Sequence, residues 1–324
     1  MTRRKSAALA AAMGLFVAGA ASAQNYPSHP VKLVVPFDAG GNVDINARFF
    51  AQQLSEQTKQ PFVVENRPGA SGYLGANFVS SSKSDGYTIL YAGSSLTIAP
   101  ALTKVPIDIT RDLTAVSNVS MTPFVMVINN NIPARTLKEL VAWIKQHPTD
   151  FKWAISAIGA ADNLSTEVFN KLAGLKPAPL SVAYVGAGKS ATAVMGGEVS
   201  GMLAPVSVVQ SLVSGGSVRA IGLAAPVTMD AMPGVPTIGS EYPGYEAGAW
   251  AGVFGPKDMP ADITKQLFDM VVKANADAEY LGKLKTTGSL SMSSKSPQDF
   301  AAYVKSQVES NSAIVKDVGI KIEQ

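Results

Sequence analysis

Cysteine is absent from the chain, and histidine occurs only twice, as His29 and His147. A chain without thiols has no disulfide bonds, no cysteine nucleophile and no thiolate metal ligands. His29 lies near the start of the chain, and His147 precedes Pro148 at a predicted helix end. These positions argue against a histidine zinc site and against a Ser-His-Asp triad. We therefore predict a protein that is not an enzyme and needs no metal or cofactor.

Excess charge is also lacking once the first residues are set aside. The basic segment Arg3-Arg4-Lys5, the apolar run 7–20 and the small residues 21–23 are typical of a signal peptide over residues 1–23. Without its three bases, the 27 Lys and Arg become 24, against 24 Asp and Glu. A neutral mature chain has no electrostatic footprint for nucleic acid or an anionic membrane. No later run reaches about 18 apolar residues, so we predict an exported, soluble protein.

The stretch 34–44 combines a strand end, a glycine pair and a helix start. Val31 to Val35 reads as a buried strand, and an apolar stripe at helical spacing follows from Ala47. Such a turn directs unpaired backbone N–H groups toward one small space, which suits a negatively charged group. The same pattern also fits a plain strand-to-helix turn, in which glycine only supplies a positive φ.

Strands and helices alternate over the first half of the chain, which predicts a parallel sheet. Ligands of such sheets bind beyond the carboxyl ends of the strands. Loops are expected there at 37–44, 66–73 and 93–97, and again at 157–163 and 185–189 of a second, similar unit. Residues 100–121 read as an irregular connection.

Two apolar segments, 124–128 and 250–255, are predicted to cross between the units. The predicted lobes are residues 24–122 with 248–324, and residues 123–247. Helices are expected over 261–277 and 297–317. Two lobes joined by two strands predict a cleft that closes on a ligand.

Several polar and aromatic residues have more than one interpretation. Asp44 is expected to cap its helix or to pair with Arg48, four residues on. Asp38 is an acid inside an anion-receiving loop, where it either donates a hydrogen bond when protonated or fixes the loop. Tyr184 and Trp250 fit either a core or a pocket wall. Gly186 to Ser190 ends like a phosphate-binding loop but lacks its first glycine.

Taken together, several short motifs form a recognisable set. They are Val35-Pro36-Phe37 with Gly40-Gly41, Asp44 and Ala47-Arg48; 64–70; 85–88; Gly196-Gly197; 233–237; and 243–246 before Trp250. Over its whole mature length the chain resembles the Bug (TctC-like) family of extracytoplasmic solute-binding proteins, the receptor subunits of tripartite tricarboxylate transporters.

The resemblance implies an α/β, two-lobed periplasmic-binding-protein fold of type II, with two Rossmann-like lobes joined by two hinge strands. It also implies a periplasmic location and a carboxylate held by backbone amides, hydroxyls and waters. The donors expected are the side chains of Asn42, Ser94, Ser95, Thr97, Ser156 and Asn163 and the amides of Gly40, Gly41 and Gly186. The full set of expected ligand contacts is Phe37, Asp38, Gly40, Gly41, Asn42, Asp44, Tyr73, Ser94, Ser95, Thr97, Ser156, Ala157, Gly159, Asn163, Tyr184, Val185, Gly186, Ala204, Pro205 and Trp250.

Four positions, Asp38, Asn163, Ala193 and Ala204, depart from residues frequent in that family. Alanine at 204 lacks the carboxylate that could bind a ligand ammonium group. We therefore expect a dicarboxylate with an apolar middle, which could be aromatic, as in terephthalate.

The resemblance implies a two-component membrane permease as partner, and a monomer is the default. An alternative function is a sensor subunit that presents its closed, ligand-bound form to a histidine kinase, and its binding site would be identical. An exported hydrolase would need a nucleophile and a base, and the sequence offers no evident pair.

Overall fold

The computed structural model describes residues 26–319, so the predicted signal peptide lies outside it. Its strands are Val31–Val35 (β1), Phe62–Asn66 (β2), Thr88–Gly93 (β3), Leu113–Ile128 (β4), Lys152–Ile155 (β5), Leu180–Ala183 (β6), Gly201–Pro205 (β7), Arg219–Leu223 (β8), Gly248–Pro256 (β9) and Leu290–Ser291 (β10). Its α-helices are Asn42–Thr58 (α1), Tyr73–Ser80 (α2), Ser94–Leu102 (α3), Leu137–Gln146 (α4), Ala161–Leu172 (α5), Ala187–Gly196 (α6), Val206–Ser214 (α7), Ala261–Ala274 (α8), Ala278–Thr286 (α9) and Pro297–Val318 (α10). No helix within residues 26–319 is both long and apolar enough to cross a membrane.

The strands lie in the order β2-β1-β3-β9-β4-β7-β5-β6, with β8 and β10 paired to β4. In the first lobe β1 is parallel to β2 and β3, and in the second β5 is parallel to β6 and β7. Parallel neighbours joined through helices are what the alternating pattern predicted. Helices cover both faces of each half of the sheet, because each face carries an apolar core cluster.

β4 connects the two halves of the sheet. Its residues up to Pro123 pair with β9, and Phe124 to Ile128 pair with β7 and β8. The prediction of an irregular connection over 100–121 was wrong, because β4 begins at Leu113. Ser117, Asn118, Ser120 and Thr122 interrupt the apolar pattern that would identify a strand. All four are buried, and each side chain forms hydrogen bonds inside the protein.

The expected polar loop over 93–97 is also corrected, since β3 ends at Gly93 and α3 begins at Ser94. Pro100 lies inside α3 and has no N–H for the carbonyl oxygen of Leu96, four residues earlier. The hydroxyl of Tyr73 donates to that oxygen at 2.8 Å. Tyr73 is only 1% exposed. Tyr73 therefore completes the hydrogen bonding of α3 and is not in a position to contact a ligand, contrary to our expectation.

Helices α7 and α9 were not predicted, whereas α8 and α10 confirm the two helices expected near the C-terminus. The lobes also touch away from the strands. Ile98 of α3, Leu164 of α5 and Val315 of α10 form one buried apolar cluster. Close by, Lys171 of α5 pairs with Asp317 of α10, with 2.8 Å between Nζ and Oδ2. These contacts join the two predicted lobes outside the crossing strands.

Candidate functional site

The loop between β1 and α1 is held in place by the carboxylate of Asp44. This carboxylate accepts hydrogen bonds from the Gly40 amide at 2.9 Å, from Arg48 Nε at 2.9 Å and from Asn66 Nδ2 at 2.8 Å. Asn66 Nδ2 also donates to the carbonyl oxygen of Phe37 at 3.0 Å. The expected pairing of Asp44 with Arg48 is therefore confirmed.

These bonds change the expected roles of Asp44 and Gly40. Asp44 is 2% exposed, and burial alone would raise its pKa. The donors from Arg48, Gly40 and Asn66 outweigh that effect and lower the pKa of Asp44. Asp44 is thus an ionised anchor whose acceptor positions are filled from within the chain. The Gly40 amide donates to it and is not available to a ligand in this conformation.

The loop between β5 and α5 in the second lobe is built in the same way. The carboxylate of Asp162 accepts from the Ser156 amide at 2.6 Å and from the Ser156 hydroxyl at 2.7 Å. Asn163 Oδ1 accepts from the Gly159 amide at 2.9 Å. The pKa of Asp162 is raised above its ordinary value, because the effect of burial outweighs the opposing effect of the Ser156 donors. Sequence reasoning missed Asp162, whose position in the first turn of α5 parallels that of Asp44 in α1.

A cavity of about 210 Å³ lies where the first turns of α1 and α3 converge beside the crossing strands. Its lining residues carry no formal charge and include seven side chains with hydroxyl or amide groups. The lining residues are Phe37, Asn42, Val43, Asn46, Tyr91, Gly93, Ser94, Ser95, Ser120, Thr122, Ala249, Trp250 and Ala251. Five of these were predicted from the sequence: Phe37, Asn42, Ser94, Ser95 and Trp250.

Two residues that line this cavity carry buried donors without partners. Ser95 Oγ and Trp250 Nε1 are both shielded from solvent and form no hydrogen bond within the protein. Neither α1 nor α3 has a side chain capping its N-terminus, so backbone N–H groups of both first turns also lack such partners. Unpaired buried donors are costly in proteins, which makes Ser95 and Trp250 candidate donors to a ligand.

Several of the hydroxyl and amide groups of the lining residues are already hydrogen-bonded within the protein. Asn42 Nδ2 donates to Thr122 Oγ1 at 2.9 Å, and Thr122 Oγ1 lies 2.7 Å from Ser289 Oγ. Tyr91 and Ser120 share a second hydroxyl pair at 2.9 Å, and burial raises the pKa of Tyr91. Sequence reasoning missed Tyr91, Ser120 and Thr122. Ser120 lies in the segment predicted as irregular, Thr122 lies between that segment and the predicted crossing strand, and Tyr91 was read only as a strand residue.

Several predicted contacts lie elsewhere or have their groups occupied. Thr97 is fully buried; its hydroxyl donates to the Ser94 carbonyl and accepts from Asn311. The Tyr184 hydroxyl donates to Glu198. The Gly186 amide donates to the Ser156 carbonyl, and the Ser156 hydroxyl donates to Asp162. We therefore correct the donor roles expected of the Thr97 and Ser156 hydroxyls and of the Gly186 amide, whereas Tyr184 as a pocket wall stays a prediction.

Ala204 is fully buried in the core of the second lobe, so its methyl group does not line the cleft. The argument from Ala204 about a ligand ammonium group therefore has no support here. Asn163 is 4% exposed. Gly159 is buried against Leu102 of α3, since an added Cβ would come within 2.3 Å of Leu102 Cδ1.

The remaining predicted residues are accessible. Asp38, Gly41, Ala157, Val185 and Gly186 are exposed, and Pro205 is half-buried. Val185 is 82% exposed and Ile158, on the neighbouring loop, is 53% exposed. Among residues 26–319, no three His, Asp or Glu side chains lie close enough together to hold a metal ion.

Comparison with known proteins adds an independent line of evidence. The sequence profile of the family described as "Tripartite tricarboxylate transporter family receptor" matches residues 46–320. Protein BugT of Bordetella pertussis is 29% identical over 324 residues, which cover 97% of this chain and 98% of BugT.

Solved structures agree in fold over most of the chain. An R. palustris protein described with adipate superposes with a TM-score of 0.77 at 27% identity, covering 92% of this chain and 99% of its own. MatC from Rhodopseudomonas palustris, described with bound malate, gives a TM-score of 0.70 at 26% identity, covering 90% of this chain and all of its own. These similarities confirm the two-lobed fold predicted from the sequence.

Proposed function

We propose that this chain, which belongs to the tripartite tricarboxylate transporter receptor family as its motifs predicted, captures a small organic dicarboxylate and delivers it to a two-component membrane permease. The chain is a periplasmic solute-binding protein of the Bug type. The observation that carries the proposal is the uncharged, donor-rich cavity beside the crossing strands. Adipate and malate in the related structures support a carboxylate.

Neutral donors are sufficient for such an anion. A micromolar site needs roughly 8 kcal/mol of binding free energy. Four or five charge-assisted hydrogen bonds, at roughly 1.5–3 kcal/mol each, supply that amount after the cost of ordering. Asn42, Ser94 and Ser95 are our side-chain donors from the first lobe, and the Gly41 amide remains a candidate.

Lobe closure completes the site in this proposal. Residues 24–122 with 248–324 form one lobe and residues 123–247 the other, and they rotate about β4 and β9. Closure excludes water, which strengthens each hydrogen bond to the anion. We further propose a monomer that is exported with a cleaved signal peptide over residues 1–23.

The second lobe supports an apolar middle in the ligand. Ile158 and Val185 lie on loops at the carboxyl ends of the paired strands β5 and β6. Backbone hydrogen bonds join these loops, from the Tyr184 amide to the Ile155 carbonyl at 2.9 Å and from the Gly186 amide to the Ser156 carbonyl at 3.1 Å. Two exposed aliphatic side chains on joined loops offer an apolar surface to a ligand such as adipate or terephthalate.

The function is tested by isothermal titration of the purified protein with adipate, terephthalate, malate, citrate and glutamate. We expect binding to at least one dicarboxylate and recovery of the intact compound after denaturation of the complex. Failure of every carboxylate to bind would overturn the proposal, and a chemically altered ligand would favour the hydrolase. Binding to glutamate alone would overturn the preference for an apolar middle.

Exchanging the apolar surface for a polar one should change ligand selectivity. In Ile158→Ser/Val185→Ser, loss of apolar burial should weaken adipate binding about tenfold or more. Malate binding should change less, since its short middle carries a hydroxyl. Leu180→Ser is the matched control, because Leu180 is 63% exposed at the opposite end of β6. Equal losses for adipate and malate would contradict this role for Ile158 and Val185.

A further inference from the structure

A buried chain of hydrogen bonds joins the cavity to a segment far away in sequence. Ser289, which is 1% exposed, accepts from Asn46 Nδ2 at 2.9 Å and shares a hydrogen bond of 2.7 Å with Thr122. Thr287 Oγ1 lies 2.7 Å from Asn46 Oδ1 and 3.1 Å from Ser289 Oγ. Asn42, Asn46 and Thr122 line the cavity, whereas Thr287 and Ser289 do not.

The hydroxyl protons of this group can be arranged in two ways, because each hydroxyl has one proton and two acceptor positions. In the first, Thr122 donates to Ser289, and Ser289 donates to Thr287. All three hydroxyl groups then donate their protons to acceptors within the protein.

In the second arrangement Ser289 donates to Thr122. Thr122 Oγ1 then accepts from both Ser289 and Asn42 Nδ2, which is 2.9 Å away. Its own proton has no acceptor left within the group, so it is available on the cavity side. A carboxylate in the cavity favours this second arrangement, because a hydrogen bond to an ionised acceptor is stronger than one between neutral groups.

We propose that Thr122 donates its hydroxyl proton to a ligand carboxylate, and that Ser289 is the positioning residue that frees this proton by donating to Thr122. The inference rests on the proposed function, since it requires a carboxylate in this cavity. It assigns a ligand contact to the crossing strand β4 itself. A bound ligand would therefore contact β4, the strand that belongs to the sheets of both lobes.

Titration with adipate, malate and terephthalate identifies the tightest ligand, which then serves as the probe. Thr122→Val keeps the shape but removes the hydroxyl, and it should weaken binding about 10- to 100-fold. Thr122→Ser keeps the hydroxyl and should bind within about threefold of wild type. Ser289→Ala should weaken binding less than Thr122→Val does, because the Thr122 hydroxyl remains.

Ser117→Ala is the matched control. Ser117 is also buried on β4, but its hydroxyl donates to the Asn118 carbonyl and has no link to the cavity. Its affinity should equal that of wild type.

Infrared spectra of the probe with isotope-labelled carboxyl groups separate a direct contact from a structural role. In Thr122→Val, one carboxylate stretching band should move to higher frequency, and in Thr122→Ser it should stay in place. Wild-type affinity in Thr122→Val, or weaker binding without a band shift, would overturn the inference and leave the proposed function standing. A wild-type protein that binds none of these three ligands, nor citrate or glutamate, would overturn both.

Discussion

Replacing Gly93 by alanine should remove both ligand binding and most of the stability of the first lobe. An added Cβ at Gly93 would lie 1.7 Å from the carbonyl oxygen of Trp250 and 2.6 Å from its carbonyl carbon. Both atoms belong to the backbone of β9, so no side-chain rotation can relieve the overlap. The pairing of Gly93 with Ala251 fixes the two strands at this point. The strands must separate locally, at a cost of about 3 kcal/mol or more.

The effect on binding follows from the position of this strand pair. Gly93, Trp250 and Ala251 all line the cavity, and α3 begins at the next residue, Ser94. Displacing Gly93 therefore moves the first turn of α3 with its Ser94 and Ser95 hydroxyls. Urea denaturation should report the stability loss, and titration with adipate should report the loss of binding.

Gly282→Ala is the matched control for Gly93→Ala. Gly282 lies on the exposed side of α9, and an added Cβ there meets no atom within 4 Å. The better helix propensity of alanine should leave stability equal or raised by up to about 1 kcal/mol. Normal stability and affinity in Gly93→Ala would contradict the strand geometry described above.

The sequence predicted the regular parts of this fold well, because their apolar patterns are local. The buried strand β1 and the helix α1 are confirmed where their apolar patterns indicated, and α8 and α10 lie close to the ranges expected for them. Prediction failed where partners distant in sequence supply what the local pattern lacks. α3 tolerates Pro100 only because the Tyr73 hydroxyl takes over the unpaired carbonyl of Leu96. No spacing rule within residues 93–102 contains that information.

The candidate site, too, has features that could be predicted from local patterns and features that depend on distant partners. The position of the loops at the strand ends could be predicted, because it follows from the order of strands and helices. Which hydroxyls face a ligand and which are used internally could not, because this depends on partners that are distant in sequence. Thr97 meets Asn311, whereas Thr122 meets Asn42 and Ser289. The sequence motifs thus located the cavity but not its full lining.

Replacing Asp44 by asparagine tests how far ligand binding depends on the anchoring of the first loop. Asparagine keeps the size of the side chain but loses the charge and one acceptor oxygen. The Gly40 amide, Arg48 and Asn66 then compete for a single acceptor. We expect the free energy of unfolding to fall by about 2–3 kcal/mol, as measured by urea denaturation. Affinity for adipate should fall at least about tenfold, since Asn42 and Phe37 belong to the loosened loop.

The effect should also depend on pH. The pKa of Asp44 is lowered in the folded protein, below the ordinary value of 3.8. Its ionised form therefore stabilises the fold above that value, and this contribution is lost as the pH falls through the folded-state pKa. Stability in Asp44→Asn should fall less steeply with acid than in wild type, so the two curves should converge at low pH.

Asp269→Asn provides the comparison for this prediction. Asp269 also pairs with a base four residues away, Lys265, but the two side chains are 55% and 74% exposed. Exposed pairs contribute about 1 kcal/mol or less, so stability and affinity should remain close to wild type. If Asp44→Asn behaves like Asp269→Asn, the buried carboxylate does not hold the loop. If it loses stability but binds normally, the loop conformation does not control the cavity, and its donors must be positioned by α1 and α3 alone.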